Sequence, residues 1–332
     1  MFRFVFPQDK QISKEVFNLA LPVIVSNLSR VLMSMVDVAM VGRLGAEALA
    51  ATGMGAMLFW GALSFVLGIR TGVQTLASRR LGQKIDKECG TALHNGLFMA
   101  TLYALPISLA GWLWAKDIIP YFIQDITATR LAIDYTAIVF ISLLFSAYSF
   151  VFQGFYTGVE KTKVHMNVTV TSNAINVYLN AGLIYGSDGV TQFFTDTIPS
   201  LSFLSKLWQW TTFPAMGVKG AAIATLIAST CMAVHYFSFL FSSQIKDRFS
   251  VFNLSTDRIM MMRQLKLALP QGIQEAVIAI GWSVFYKIMG MIGLIELATT
   301  ELLFTIMHAS FMPALGVGQA CATLVGKYMG EK

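Results

Sequence analysis

Asp37 stands in the stretch "VDVAMVGRLG", five residues before Gly42, at the end of a long apolar run. A carboxylate inside a membrane span costs a few kcal/mol unless it is paired, hydrated or protonated. Such a group binds and releases a proton or a small cation. An acid resting at the membrane interface accounts for the position equally well. A second polar set lies far along the chain at Asn173, Asn176 and Asn180. The last two are four apart and share a helical face. Their amides serve as hydrogen-bond donors, as cation ligands, or as plain polar glue between helices. Arg30 lies seven residues before Asp37, and Arg70 lies deep in another apolar run beside Gly68 and Gly72. Either arginine suits a counter-ion or a substrate contact; packing and snorkelling are the bland alternative. Glu275 and Lys287 occupy a later run. Lys287 is the odder of the two, a cation at a depth matched to Asp37. Pro22 and Pro270 each sit inside an apolar segment, where a missing N–H permits a bend.

Metal and enzyme chemistry find no footing. His94, His165, His235 and His308 are scattered without metal spacing. His94 and His165 read as loop or interface residues, and His308 as a packing residue. Cys89, Cys231 and Cys321 form no CxxC, and an odd number argues against a disulfide framework. No nucleophile elbow or paired-acid motif is present. The chain is therefore expected not to be an enzyme and to carry no metal or organic cofactor.

The elements that must position these residues follow from composition. The chain has 332 residues, 55% hydrophobic and only 13% charged. Soluble domains carry about 25% charged residues. An all-α polytopic membrane protein is the fold class. A helix needs about 20 mostly apolar residues to span the bilayer. Eight transmembrane helices are expected near 16–41, 48–78, 91–115, 130–157, 164–186, 214–242, 267–290 and 298–326. Sixteen lysines and arginines fall in segments on the side of the N-terminus and five in the opposite loops. The positive-inside rule then places both ends in the cytoplasm. The net charge of +6 reflects this topology rather than nucleic-acid binding. Met1 to Glu15 mix polar and charged residues without an apolar h-region or cleavage site, so a signal peptide is not expected there. The loop at 187–213, "TQFFTDTIPSLSFLSKLWQW" at its centre, is expected either to lie on the outer leaflet or to be a packed extracellular loop. "IMMMRQLK" reads as an amphipathic linker.

The sequence also repeats. "LALP" begins at Leu19 and again at Leu267, an offset of 248. Without gaps, Gly42 then meets Gly290, Gly68 meets Gly316, Thr75-Leu76 meets Thr323-Leu324, and "LGQK" meets "MGEK". Spans 7 and 8 copy spans 1 and 2. Six crossings return the chain to its starting face, so the repeats are parallel, related by an axis along the membrane normal. The expected organisation is a six-helix lobe at 1–245, a cytoplasmic linker at 246–265, and at 266–332 the first two helices of a second lobe left incomplete. Residues 1–332 alone are then expected not to catalyse coupled export.

Five stretches carry a resemblance: "LALPVIVSNLSRVLMSMVDVAMVGRLG", "ASRRLGQKIDKE", "GFYTGVEKTKVHM", "NAINVYLNAGLIYG" and "MGVKGAAIATLIAS". In that order they resemble the multidrug and toxic compound extrusion (MATE) family. The resemblance covers nearly the whole chain. It implies two six-helix lobes around a cleft and antiport by alternating access. Organic compounds, cationic or amphipathic, would leave in exchange for protons or sodium ions. Asp37 falls on the family's cation-coupling aspartate, Asn176 on a cavity asparagine, and Pro22 on a bending proline with Pro270 as its repeat partner. Asn180 departs from the pattern, since many members have aspartate there, so a two-carboxylate relay is in doubt. An amide still accepts a hydrogen bond from protonated Asp37 or coordinates sodium. Tyr178 and Thr225 are weaker cavity candidates, and Arg30, Arg70, Lys287 and Glu275 complete the cleft set. Glu275 does not stand where some family branches place a functional glutamate. The partners implied are a small organic substrate and the lipid bilayer, with no nucleic acid, in the bacterial inner membrane, as a monomer when full length. The alternatives are a flippase for lipids or lipid-linked sugars and a truncated form without transport.

Overall fold

Asp9 opens the first helix: its side chain accepts from the backbone N–H groups of Gln11 and Ile12, two donors that a helix start leaves unpaired. The helix, α1 (Lys10–Gly42), begins six residues before the predicted apolar span and runs unbroken through Pro22. In the computed structural model, residues 9–123, 125–197, 199–292 and 294–331 are described. The elements are α2 (Ala46–Gly82), α3 (Asp86–Ile118), α4 (Ile126–Ile141), α5 (Leu143–Gly158), α6 (Thr162–Thr197), α7 (Lys206–Gln209), α8 (Val218–Phe239), α9 (Ser243–Phe249), α10 (Arg258–Ile292) and α11 (Leu294–Glu331). There is no strand among the described residues. The bundle end where α1 begins is called the lower end below.

α2 is the hub. It packs against α3, α4, α5, α10 and α11. Its buried Leu63, Val66, Ile69, Val73 and Ala77 belong to the main core with Leu143, Val151, Phe155 and Tyr156 of α5. A helix with neighbours on most sides carries apolar residues all round, which is why α2 shows no single stripe.

Two helices are broken where the sequence allows it. α4 and α5 meet at Ser142 with a 44° bend. The Ser142 hydroxyl donates to the Val139 carbonyl at 2.6 Å, and Ser108 of α3 donates to the Phe140 carbonyl at 2.7 Å. These hydroxyls take up acceptors at the break. α6 turns at Gly186, with φ 74 and ψ 166, a backbone region essentially reserved for glycine.

Five helical segments are long and apolar enough to cross a membrane: α1, α2, α3 with its extension to Tyr121, α8, and 309–331 within α11. α4 and α5 together make a sixth as a broken span. Among the described residues, the expectation of eight spans is therefore met only as five or six. α6 carries four asparagines and α10 two glutamines and a glutamate in mid-helix, and these lower their apolarity.

The copied helices pair crosswise. α10 lies along α2, and α11 lies along α1 and α2. The contacts are reciprocal in the 248-residue register. A Cβ on Gly82 would sit 1.9 Å from the Lys327 carbonyl oxygen, and one on Gly330, its repeat partner, 2.2 Å from that of Arg79, the partner of Lys327. Gly326 packs on Ser78, its own repeat partner. Such i-to-j and j-to-i contacts define a twofold relation, here between two parts of one chain. All of them lie in the lower half of the bundle.

Candidate functional site

α6 faces α1 with a polar stripe. His165, Thr169, Asn173, Asn176 and Asn180 follow at steps of three or four, so they line one face. The upper end of the stripe meets Asp37. The Asn180 amide nitrogen donates to Asp37 Oδ1 at 2.5 Å and to Asn176 Oδ1 at 2.8 Å. Asn176 and Asn180 are buried, Asp37 half-buried. Asn180 Oδ1 is buried with no hydrogen-bond partner. The three residues predicted for cation coupling are thus brought into one hydrogen-bonded chain across two helices. Among the described residues, Asp37 has no cationic partner within ion-pair distance. Asp134, another acid in an apolar segment, is paired with Lys219 at 3.0 Å.

The segment 187–213 covers this site from above. Trp208 of α7 is buried and donates to the Tyr178 carbonyl at 2.8 Å. The Tyr178 ring stacks on Trp208 at 5.1 Å, and its hydroxyl donates to the Leu207 carbonyl at 2.9 Å. Tyr185 donates to the Met40 carbonyl, and the Arg43 guanidinium lies 4.4 Å from the Phe193 ring centre. Of the two sequence readings for this loop, the packed loop describes Trp208, while Trp210 stands exposed. Tyr178, expected in the cavity, is engaged with the cap.

Below Asp37, Asn173 donates to the Ser29 hydroxyl at 2.8 Å. Lower still is a group that the sequence reading missed. His165 is fully buried, and the expectation that it is a loop or interface residue is corrected. Gln153 of α5 donates to its Nε2 at 3.1 Å, leaving Nδ1 to carry the proton toward the Tyr236 hydroxyl of α8 at 2.5 Å. Thr169 lies 3.2 Å from the same Nδ1. His94 is likewise buried, 2.7 Å from the Val251 carbonyl. The physical reason is the same for both: α3 and α6 start earlier than their apolar runs, and α9 with 250–257 closes that end. Gln153, alone among the apolar residues of "FVFQGFY", was the available signal.

Arg30 and Arg70 point toward this lower group from α1 and α2. Arg30 sits 5.6 Å from the Phe150 ring centre. Neither guanidinium has an ion pair or hydrogen bond among the described residues, and Arg70 Nε is buried without a partner. The two lie within electrostatic range of each other and of His165 and Tyr236; Arg70 is also within range of Glu275. Glu275 accepts from Gln271 within α10 at 2.9 Å.

Thr225 is tied to the Ala221 carbonyl of its own helix at 3.0 Å and does not reach Asp37 through a hydrogen bond. Pro22 is buried and Pro270 exposed, each twelve residues into its helix. The side chains of Lys287 and His308 lie outside the described residues.

The family model described as MatE matches residues 22–181. A probable multidrug resistance protein NorM of Thermotoga maritima is 23% identical over 99% of this chain and 66% of its own length. Its namesake from Mesorhizobium japonicum is 26% identical over 93% of this chain and 62% of its own length. A solved multidrug resistance MATE family transporter of the MOP superfamily, in an outward-facing conformation, is similar with a TM-score of 0.79 at 20% identity, covering 96% of this chain and 65% of that one. The chain spans about two thirds of the length of the relatives it matches. Matched family model, related sequences and shared fold agree in their likeness: residues 22–181, just under half of the chain, match the MATE family model, and the fold is similar to that of MATE transporters.

Proposed function

We propose that this chain acts in a secondary antiporter that exports organic compounds, cationic or amphipathic, in exchange for protons or sodium ions. The carrying observation is the Asp37–Asn180–Asn176 chain, an acid without a counter-ion joined to two buried amides. A sodium ion would find oxygens on Asp37, Asn176 and Asn180. A proton on Asp37 would be donated to Asn180 Oδ1 once that amide turns over. Either cation changes how α1 is held against α6. Alternating access follows if the cation and the substrate prefer different arrangements of the same helices.

In this reading, residues 1–245 form the first lobe, 246–265 the linker, and 266–332 the opening of the second lobe. Both ends face the cytoplasm of a bacterial inner membrane, and the working unit is a monomer. Pro22 gives α1 its capacity to bend. Arg30, Arg70, Glu275, Lys287, Tyr178 and Thr225 belong to the substrate cleft. The unpaired arginines also favour a second reading, a flippase for lipid-linked phosphates.

The test is gradient-driven efflux of ethidium from right-side-out membrane vesicles. Asp37→Asn keeps the shape and removes titration. Efflux is expected to fall at least about tenfold, the loss when a charge-assisted contact of about 1.5–3 kcal/mol disappears. Collapsing the proton gradient or withdrawing sodium identifies the coupling ion. Undiminished efflux by a well-expressed Asp37→Asn protein would return Asp37 to an interface role. Transport of lipid-linked phosphates without dye efflux would favour the flippase.

A further inference from the structure

We propose that Arg30 and Arg70 form an anion subsite, so that the preferred substrate is an amphipathic molecule bearing a carboxylate, sulfonate or phosphate. The proposal rests on the export reading and adds to it the chemistry of the substrate. Two arginines from different helices meet neighbouring turns of α5: the Arg30 guanidinium lies 5.6 Å from the Phe150 ring centre, and Arg70 Cγ lies 3.2 Å from a Cβ built at Gly154. Like charges inside a span repel and lose hydration, and such residues are retained where they meet a counter-charge or a wet cavity. The protein supplies no adequate counter-charge. No carboxylate lies within ion-pair distance of either guanidinium among the described residues. Asp37 is committed to Asn180, and the acid nearest in effect, Glu275, accepts from Gln271 of its own helix.

The donors themselves are free. Arg70 Nε is buried and unbonded, an unsatisfied donor that a bound anion would pair. The planar fork of arginine matches the two oxygens of a carboxylate or phosphate. Phe150 supplies a flat apolar surface beside Arg30, suited to the ring system of an aromatic acid. The neutral groups nearby, His165 and Tyr236, are engaged with each other and do not compete for the anion. Glu275 acts on Arg70 from α10 through space, beyond ion-pair distance, across the junction of the copied helices, and so is an internal competitor that offsets the charge of Arg70 when substrate leaves.

The probe is a matched pair, rhodamine B with its free carboxylate and rhodamine B ethyl ester. Binding is read by fluorescence polarisation on the purified protein in detergent. Wild-type protein is expected to bind the acid about tenfold more tightly than the ester, the value of one charge-assisted pair. The acid-to-ester ratio should fall toward one in Arg70→Gln and in Arg30→Gln, and Arg70→Lys should keep part of it. Glu275→Gln should raise the ratio. Displacement of rhodamine B by phosphatidylglycerol, lost in Arg70→Gln, would keep the subsite and assign it a lipid headgroup. Equal or tighter binding of the ester by wild-type protein would overturn the subsite whatever the variants do. Ester efflux in vesicles alongside that result would leave the export reading standing, whereas failure of both dyes to bind or move would overturn both.

Discussion

Two carboxylates in apolar segments of the first six predicted spans have different fates, and the difference argues for function. Asp134 is neutralised by Lys219 on the surface, a pair worth about 0.2–1 kcal/mol. Asp37 accepts from the Asn180 amide and, among the described residues, forms no ion pair. Asp134→Asn is therefore expected to leave ethidium efflux within about twofold, in contrast to Asp37→Asn, because an exposed pair contributes little. Equal losses in the two variants would argue that efflux reports general damage. The lower group makes a separate prediction. Gln153→Leu leaves His165 Nε2 buried without its donor, and should lower thermal stability by about 1–3 kcal/mol. A melting curve in detergent, followed by size-exclusion recovery, checks it. Residue identity at Asp37 and the asparagines was legible in the sequence because polar groups stand out against apolar runs. His165 was not, since its distance from the apolar run resembled that of an interface residue.

At the scale of elements, the cap over α6 is the informative feature. It is held by Gly186, by the Ser187 hydroxyl, which accepts from Phe213 N–H, and by Trp208 against Tyr178. Trp208→Ala removes the one deeply inserted side chain of α7, at a cost of about 3–5 kcal/mol to local packing. In that background, Asp37→Cys is expected to react faster with a small polar thiol reagent added from the cap side. Unchanged labelling would show that the cap does not control entry. The sequence marked 187–213 as aromatic and too polar to span. It left open whether those aromatics face lipid or protein, since composition gives no partner. The bend at Ser142 was likewise hidden, because serine breaks a helix only when a neighbour such as Ser108 takes up an acceptor.

At the scale of the whole molecule, the repeat found in sequence reappears as crosswise packing. Gly82→Val and Gly330→Val each place a side chain against the facing backbone carbonyl. They should destabilise by similar amounts, about 1–3 kcal/mol, as overpacking does. Measured melting temperatures that fall for one and not the other would contradict the reciprocal contact. Ser78 and Gly326 sit on the axis, with a Cβ built at Gly326 lying 3.2 Å from the Ser78 Cβ. The pair Ser78→Cys with Gly326→Cys is expected to cross-link under mild oxidation once the two helices part by a few tenths of an ångström, since disulfides form at Cβ separations of about 3.5–4.5 Å. The readout is a protease-cut chain that stays joined on a non-reducing gel.

The sequence alone determined the membrane class, the 248-residue register, the pairing of Pro22 with Pro270 in that register, and the facing of Asn176 with Asn180. Each of these is a local or periodic property, fixed by hydrophobic spacing and by the pitch of a helix. Only the tertiary structure decided that Asn180 meets Asp37, that His165 meets Gln153 and Tyr236, and that Arg30 and Arg70 share a counter-charge problem. A helix period says which residues share a face but not which helix that face meets. The meeting is set by small residues along α2, which let α10 and α11 approach, and by the breaks at Ser142 and Gly186, which no periodicity encodes.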